Sequence, residues 1–149
     1  MNEKLTRDIL LSLRELRKET QALLEEQSKT YNISTTQLFI LDMLDKHPQA
    51  SLHEVAKMVN LSASTTSAVV EKMVQAGYLK REQSQKSRRT LELSLTDSGK
   101  ETLTNTYSGY IQDFAVLGKI EESRLLAFYE TQQDIIHLLK QRRLASGEK

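Results

Sequence analysis

The chain of 149 residues contains no cysteine, which removes disulfide frameworks, thiolate metal sites and cysteine-based peroxide sensing from consideration. One proline and five glycines leave few places where a helix must stop, so long helices are expected and internal linkers are not. Charge of one sign is also lacking, with 21 lysines and arginines against 20 aspartates and glutamates. Bulk electrostatics therefore point to no nucleic-acid, membrane or acidic partner, and any such argument has to be local. No apolar run approaches the roughly 20 residues that span a bilayer, and the opening MNEKLTRDILLSLREL is charged too often for a secretory core. The expectation is a cytoplasmic protein with no membrane partner.

What is present is helical periodicity at both ends. Leu5, Ile9, Leu13, Leu16, Leu23 and Leu24 form one long amphipathic stripe. Leu125, Phe128, Tyr129, Ile135, Ile136, Leu138 and Leu139 form another. Two such stripes are a large apolar surface for one domain of this length.

Between them the chain is closely punctuated. Ser34-x-x-Gln37 reads as a capping box, with Ile33 and Leu38 placed to form a hydrophobic staple, and that helix should end near His47-Pro48. Ser51-x-x-Glu54 is a second box, opening a short helix that stops around Asn60, where asparagine can take the left-handed conformation. Ser62 caps a third helix that runs to Ala76 and is terminated by Gly77. Two helices joined by so short a turn make a helix-turn-helix. The period then changes to two. Leu91, Leu93 and Leu95 alternate with Glu92 and Ser94, as in a strand with one buried face, and Tyr78 to Arg81 is its expected partner. Thr96-Asp97-Ser98-Gly99 reads as the cap and first turn of a further helix. The expected fold is mainly α with a small β-hairpin wing.

Positive charge gathers at that hairpin. Between Lys80 and Arg89 there are five basic residues (Lys80, Arg81, Lys86, Arg88, Arg89) against Glu82 alone, so the remainder of the chain is net negative. Alternating leucines that anchor the hairpin would hold Lys86, Arg88 and Arg89 as a basic finger, and arginine on such a finger suits a narrow minor groove. On the third helix, Thr66, Val69, Val70, Met73 and Ala76 share one face and leave Ser64, Ser67, Ala68, Glu71 and Gln75 on the other. Small hydroxyls and an alanine methyl let such a helix lie close in a major groove. The expected DNA contacts are therefore Ser62, Ser64, Thr65, Ser67, Ala68 and Lys72 of the helix and Lys86, Arg88 and Arg89 of the loop.

From about Thr35 to Gly99 the chain resembles the MarR family of bacterial transcriptional regulators. The resemblance is carried by TTQLFILDML, by SLHEVAKMVNLSASTTSAVVEKMVQAGYLKR, and most specifically by SRRTLELSLTDSG. The family's Asp-Arg-Arg before the strand is Ser87-Arg88-Arg89 here, and its Leu-Thr-x-x-Gly after it is Leu95 to Gly99. The resemblance implies that the missing aspartate would have oriented Arg89, a task for which a serine offers only a neutral hydrogen bond. It implies also that Ala68 stands where the family often has arginine, which together with Glu71 on the exposed face points to modest affinity, a different base preference or greater reliance on the wing.

The resemblance further implies a homodimer joined through helices of residues 1–32 and 101–149, with residues 33–99 as the DNA-binding winged helix-turn-helix. Such a dimer reads near-palindromic double-stranded DNA. A small-molecule effector would bind between the two regions, where Tyr31, Phe39, His53 and Tyr107 are the candidate lining, and would release a repressor. No enzyme chemistry, cofactor or metal is expected, because His47, His53 and His137 sit in no nucleophile-base or metalloprotease spacing. Two readings compete with this one: a metal-responsive regulator using His47, His53 and Glu54, and a helical protein-interaction module without DNA binding.

Overall fold

A computed structural model of the protein describes residues 2–87 and 91–147. The element order is α1 (Glu3–Thr30), α2 (Thr35–Lys46), α3 (Leu52–Met58), α4 (Ala63–Gln75), β1 (Leu79–Gln83), β2 (Leu91–Leu95), α5 (Asp97–Asp113), a 3-10 turn (Phe114–Lys119) and α6 (Glu122–Ala145). These elements fall into two compact units, Met1–Asp113 and Phe114–Lys149.

Both capping boxes form. The Gln37 N–H donates to Ser34 Oγ at 3.1 Å while the Ser34 N–H donates to Gln37 Oε1 at 3.0 Å, and Ser51 and Glu54 repeat the exchange at 3.2 and 2.7 Å. Ile33 and Leu38 are both buried, as the staple requires. Three helices stop by the same device. Asn32 (φ 53), Asn60 (φ 56) and Gly77 (φ 83) adopt the left-handed conformation after α1, α3 and α4. In each case the next two N–H groups turn back to the helix, as with Gly77 to Val74 at 3.0 Å and Tyr78 to Met73 at 2.9 Å. This is the Schellman arrangement, and it makes the turn between α3 and α4 tight enough for a helix-turn-helix.

The core of the first unit is built around α2, whose Leu38, Ile40, Leu41 and Leu44 are essentially inaccessible, and it is completed by Val55, Val70, Met73, Leu79, Leu93, Leu95 and Leu103. Each such side chain contributes about 1.5–3 kcal/mol of burial. On α4 the buried positions are Thr66, Val70 and Met73, with Val69 and Val74 half-buried. Ala76, expected on the buried face, is exposed because it is already the C-cap where the chain leaves the helix.

The hairpin is antiparallel with Leu79 opposite Leu95, Arg81 opposite Leu93 and Gln83 opposite Leu91. Leu93 and Leu95 are buried, but Leu91 is 60% exposed, which corrects the expectation of three inward leucines. Its cross-strand partner is polar, and by that point the hairpin has run past the core. β1 also extends to Gln83, two residues beyond the expected Arg81, and begins at Leu79 rather than Tyr78. Glu82 and Glu92 stand directly opposite each other, a like-charge pairing that would destabilise the ladder. It is relieved on both sides, since Lys80 Nζ lies 2.8 Å from Glu82 and Ser84 Oγ donates to Glu92 at 2.7 Å.

The hairpin's return is locked where the sequence reads Thr96-x-x-Gly99. The Thr96 hydroxyl donates to the Gly77 carbonyl and accepts from the Gly99 N–H, while the Thr96 N–H donates to the Tyr78 carbonyl. A Cβ at Gly99 would collide with that same Tyr78 carbonyl oxygen, so only glycine lets α5 start this close to the end of α4.

In the first unit, the opening half of α1 exposes Leu5, Ile9, Leu10, Leu11 and Leu16. In the second, no residue of α6 is buried, and Phe128, Tyr129, Ile136, Leu138 and Leu139 are all exposed. No helix among the described residues is long and apolar enough to cross a membrane.

Candidate nucleic-acid interface

The exposed side of α4 begins at its cap. Ser62 is exposed but structurally committed: its Oγ accepts from the Thr65 N–H at 3.1 Å and donates to Thr65 Oγ1 at 2.8 Å. Ser64 lies beside it, Oγ to Oγ 3.3 Å, and Ser64, Thr65, Ala68 and Lys72 are exposed. Ser67 is half-buried. The first turn of α4 therefore presents hydroxyls, a methyl and, two turns on, the Lys72 ammonium along one open face.

Glu71 interrupts that face with a negative charge, and the fold answers it. Arg81 Nη2 lies 2.8 Å from Glu71 Oε2. Arg81 occupies the same face of the hairpin as Leu79, two residues along β1, and this face packs on α4. Arg81 stands in the basic cluster of the sequence, but its pairing with Glu71 is legible only from the register of β1: counting by two from the buried Leu79 places Arg81 against the helix.

The wing's stem is held by Ser84, which is buried; its Oγ accepts from the Lys86 N–H at 3.1 Å while donating to Glu92. The side chain of Lys86 is exposed beyond that stem. Arg88 and Arg89, the other two expected wing contacts, lie outside the described residues. Ser84 and Glu92 were not legible as functional positions, because two small polar residues eight apart carry no periodic signal.

The four candidate effector residues do not share one environment. Tyr31 and Tyr107 pack against the core from its margin, together with Tyr110. Burial raises the Tyr107 phenol above its ordinary range, and the Asp42 carboxylate adds to this. Burial likewise raises Tyr110, against a hydrogen bond with Thr20 that lowers it. Phe39 on α2 is 40% exposed and His53 on α3 is exposed. A cleft of about 680 Å³ opens at the α2–α3 corner, lined by residues that include His47, Pro48, Glu54 and Met58 but none of those four. His47 and His53 help to hold the Glu54 carboxyl below its ordinary value, behind the larger effect of its hydrogen bonds from Ser51. No cluster of three or more metal-ligating side chains occurs among the described residues.

A helix-turn-helix whose second helix is open along one face, followed by a two-stranded wing, is the geometry of the sequence family that matches residues 33–91, the MarR family. Over that segment the chain is similar to the MarR family. The MarR match runs from the staple residue Ile33 to the first residue of β2, and so covers the whole helix-turn-helix and the wing loop. Over 97 residues the chain is 31% identical to the HTH-type transcriptional repressor MdtR of Bacillus subtilis, a match covering 65% of this chain and 63% of that relative. The matched part thus spans less than two thirds of the relative's length. Among solved structures, a MarR family protein from Bacillus stearothermophilus superposes with a TM-score of 0.85 at 19% identity, covering 94% of this chain and 99% of that one. A point mutant of MepR from S. aureus, bound to an oligodeoxyribonucleotide, superposes with a TM-score of 0.65 at 15% identity, over 88% of this chain and 97% of that one. The winged-helix fold is therefore common to this chain and both solved structures, and the curated relatives carry names of transcriptional regulators rather than enzymes.

Proposed function

We propose that this protein is a homodimeric transcriptional regulator of the MarR family that binds near-palindromic double-stranded DNA and represses until a small-molecule effector releases it. The observation that carries the reading is the pairing of an open, hydroxyl-rich α4 face with a wing whose stem is fixed by Ser84 and whose loop holds Lys86, Arg88 and Arg89. α4 would enter the major groove with Ser62, Ser64, Thr65, Ser67, Ala68 and Lys72, and the wing arginines would reach the flanking minor groove. The name of MdtR and the DNA complex of MepR support the same direction. Residues 1–32 and 101–149 would supply the dimer interface and residues 33–99 the DNA-binding region. A two-fold dimer sets its recognition helices about one helical turn, roughly 34 Å, apart. An effector site lined by Tyr31 and Tyr107 would lie where α1 and α5 meet the winged helix, with Phe39 and His53 left outside it.

The test is binding of the purified protein to DNA from its own upstream region, titrated against salt with random DNA as control. Selective binding whose log K falls steeply with log salt is the expected result. Changing Arg88 and Arg89 to alanine should remove selectivity and lower the salt slope by about one for each lost phosphate contact. Absence of binding even at low salt, together with capture of a protein partner that the same alanine variant leaves intact, would replace this reading with that of an interaction module.

A further inference from the structure

Ser28 is 2% exposed, yet its hydroxyl has no hydrogen-bond partner. A serine or threonine inside a helix ordinarily returns its hydroxyl to a carbonyl of the preceding turn. Thr30, Thr66, Thr106 and Thr131 all do so here, to the carbonyls of Glu26, Ser62, Thr102 and Ala127. Ser28 does not, although its own carbonyl is engaged by the Ile33 N–H at 2.9 Å in the turn that ends α1. Buried hydroxyls without partners are rare because each forfeits its hydrogen bonds to water.

Ser28 lines a cleft of about 550 Å³ at the junction of α1 and α2, together with Glu25, Lys29, Ile33, Ser34 and Thr35. The lining carries both signs of charge and a helix N-terminus. At the start of α2 the capping box uses the N–H groups of Ser34 and Gln37 and leaves those of Thr35 and Thr36 without an acceptor among the described residues. Lys29, near the end of α1, lines the cleft and forms no ion pair with any described residue. Glu25, a turn back along α1, lines it too, and its Oε1 accepts from Gln21 Nε2 at 3.1 Å. Buried Ile33 supplies apolar wall. The α5 side of α1 is separate from this face, for it is Gln27 that meets Asp113 and Gly109.

We propose that this cleft binds a small amino-carboxylate, its carboxylate set against Lys29 and the N-terminus of α2 where it accepts the Ser28 hydroxyl, and its ammonium set against Glu25. A simple anion would meet Glu25 with the wrong sign, and a simple cation would meet the helix N-terminus with the wrong sign, so the lining selects a ligand carrying both. Occupancy would tie the end of α1 to the start of α2, and in this the inference rests on the ligand-controlled regulator proposed above while adding a site distinct from the one at Tyr31 and Tyr107.

The test uses the full chain with 6-aminohexanoate as probe and hexanoate and hexylamine as single-charge controls, read by thermal shift and by perturbation of the Ser28, Thr35 and Thr36 amide resonances. The expected result is saturable binding of 6-aminohexanoate, stronger than either control. Ser28→Ala should melt no lower than the natural chain without ligand, since it only removes an unpartnered hydroxyl, yet should weaken the probe by at least about tenfold. Glu25→Gln should erase the preference over hexanoate. Equal binding of all three compounds, binding unaffected by Ser28→Ala, or no saturable shift would each overturn the site. DNA affinity measured on the same samples separates the two proposals: selective DNA binding without probe binding removes only the site, and probe binding without DNA binding removes only the regulator.

Discussion

Arg81 on the first wing strand holds Glu71 on α4 at 2.8 Å. Without that contact, a carboxylate would stand alone on the face proposed to meet DNA. With it, α4 and the wing are joined outside the core as well as through it, and the local charge of the face is neutral at Glu71 and positive at Lys72.

Arg81→Ala is therefore expected to weaken DNA binding by more than the loss of one cation, because it uncovers Glu71. Glu71→Ala in the Arg81→Ala background should recover part of the loss. Both partners are well exposed, so stability itself should change by only about 0.2–1 kcal/mol. A double-mutant cycle on DNA affinity, with chemical denaturation alongside, checks this; additive single effects on affinity would show that the pair does not couple helix and wing.

Ser62 and Ser64 are neighbours with separable roles. Ser62 caps α4, and replacing such a cap by alanine costs about 0.5–2 kcal/mol. Ser64 contributes no backbone cap, its recorded contact being the Ser62 hydroxyl. Ser62→Ala should lower the denaturation midpoint, whereas Ser64→Ala should leave stability unchanged and alter DNA affinity alone. Equal stability losses in the two variants would contradict the division.

The punctuation of the chain was the most legible part of it. Ser34, Ser51, Asn60, Ser62 and Gly77 each perform the capping or turning role their residue type favours, because those roles are satisfied within four or five residues and need no tertiary partner. The hairpin was legible in kind but not in extent. Alternation identified the strand, but nothing in a leucine's own neighbourhood distinguishes Leu91 from Leu93, since the difference is how far the hairpin has travelled from α2. The Glu71–Arg81 pair and the unpartnered Ser28 hydroxyl were invisible for the same reason: each depends on what a second element places nearby. Of the aromatics and the histidine near the expected junction, only Tyr31 and Tyr107 are drawn to the core margin, the two positions where α1 ends and α5 packs on α2.

Acid should loosen α3 through its capping box. The Glu54 carboxyl is held below its ordinary value of 4.5, first by the Ser51 backbone N–H, then by the Ser51 side chain, with His53 and His47 adding to the effect. A carboxyl lowered on folding contributes stability that is fully present above its unfolded value and is lost as the pH falls through the folded one. Glu54→Gln can keep the hydrogen bond, as Gln37 does in the first box, but cannot titrate. Its stability should therefore vary less than that of the natural chain as the pH falls below 4.5, as measured by denaturation at stepped pH. Identical slopes for the two proteins would show that Glu54 does not carry the linkage.

The apolar faces of α1 and α6 lead to the last expectation. Leu10 and Leu11 on the first helix and Leu138 and Leu139 on the last are each more than half exposed, and helices that long are not held in water by propensity alone. If the faces are buried between two copies, folding and association are one equilibrium, and the melting midpoint must rise with protein concentration. Sedimentation should then give a dimer, while Leu10→Glu and Leu138→Glu, one in each unit, should each dissociate it and lower the midpoint, because a charge desolvated at an interface without a partner is costly. A natural chain that sediments as a monomer with a concentration-independent midpoint would remove the dimer and with it the near-palindromic operator, since one recognition helix reads only one half-site.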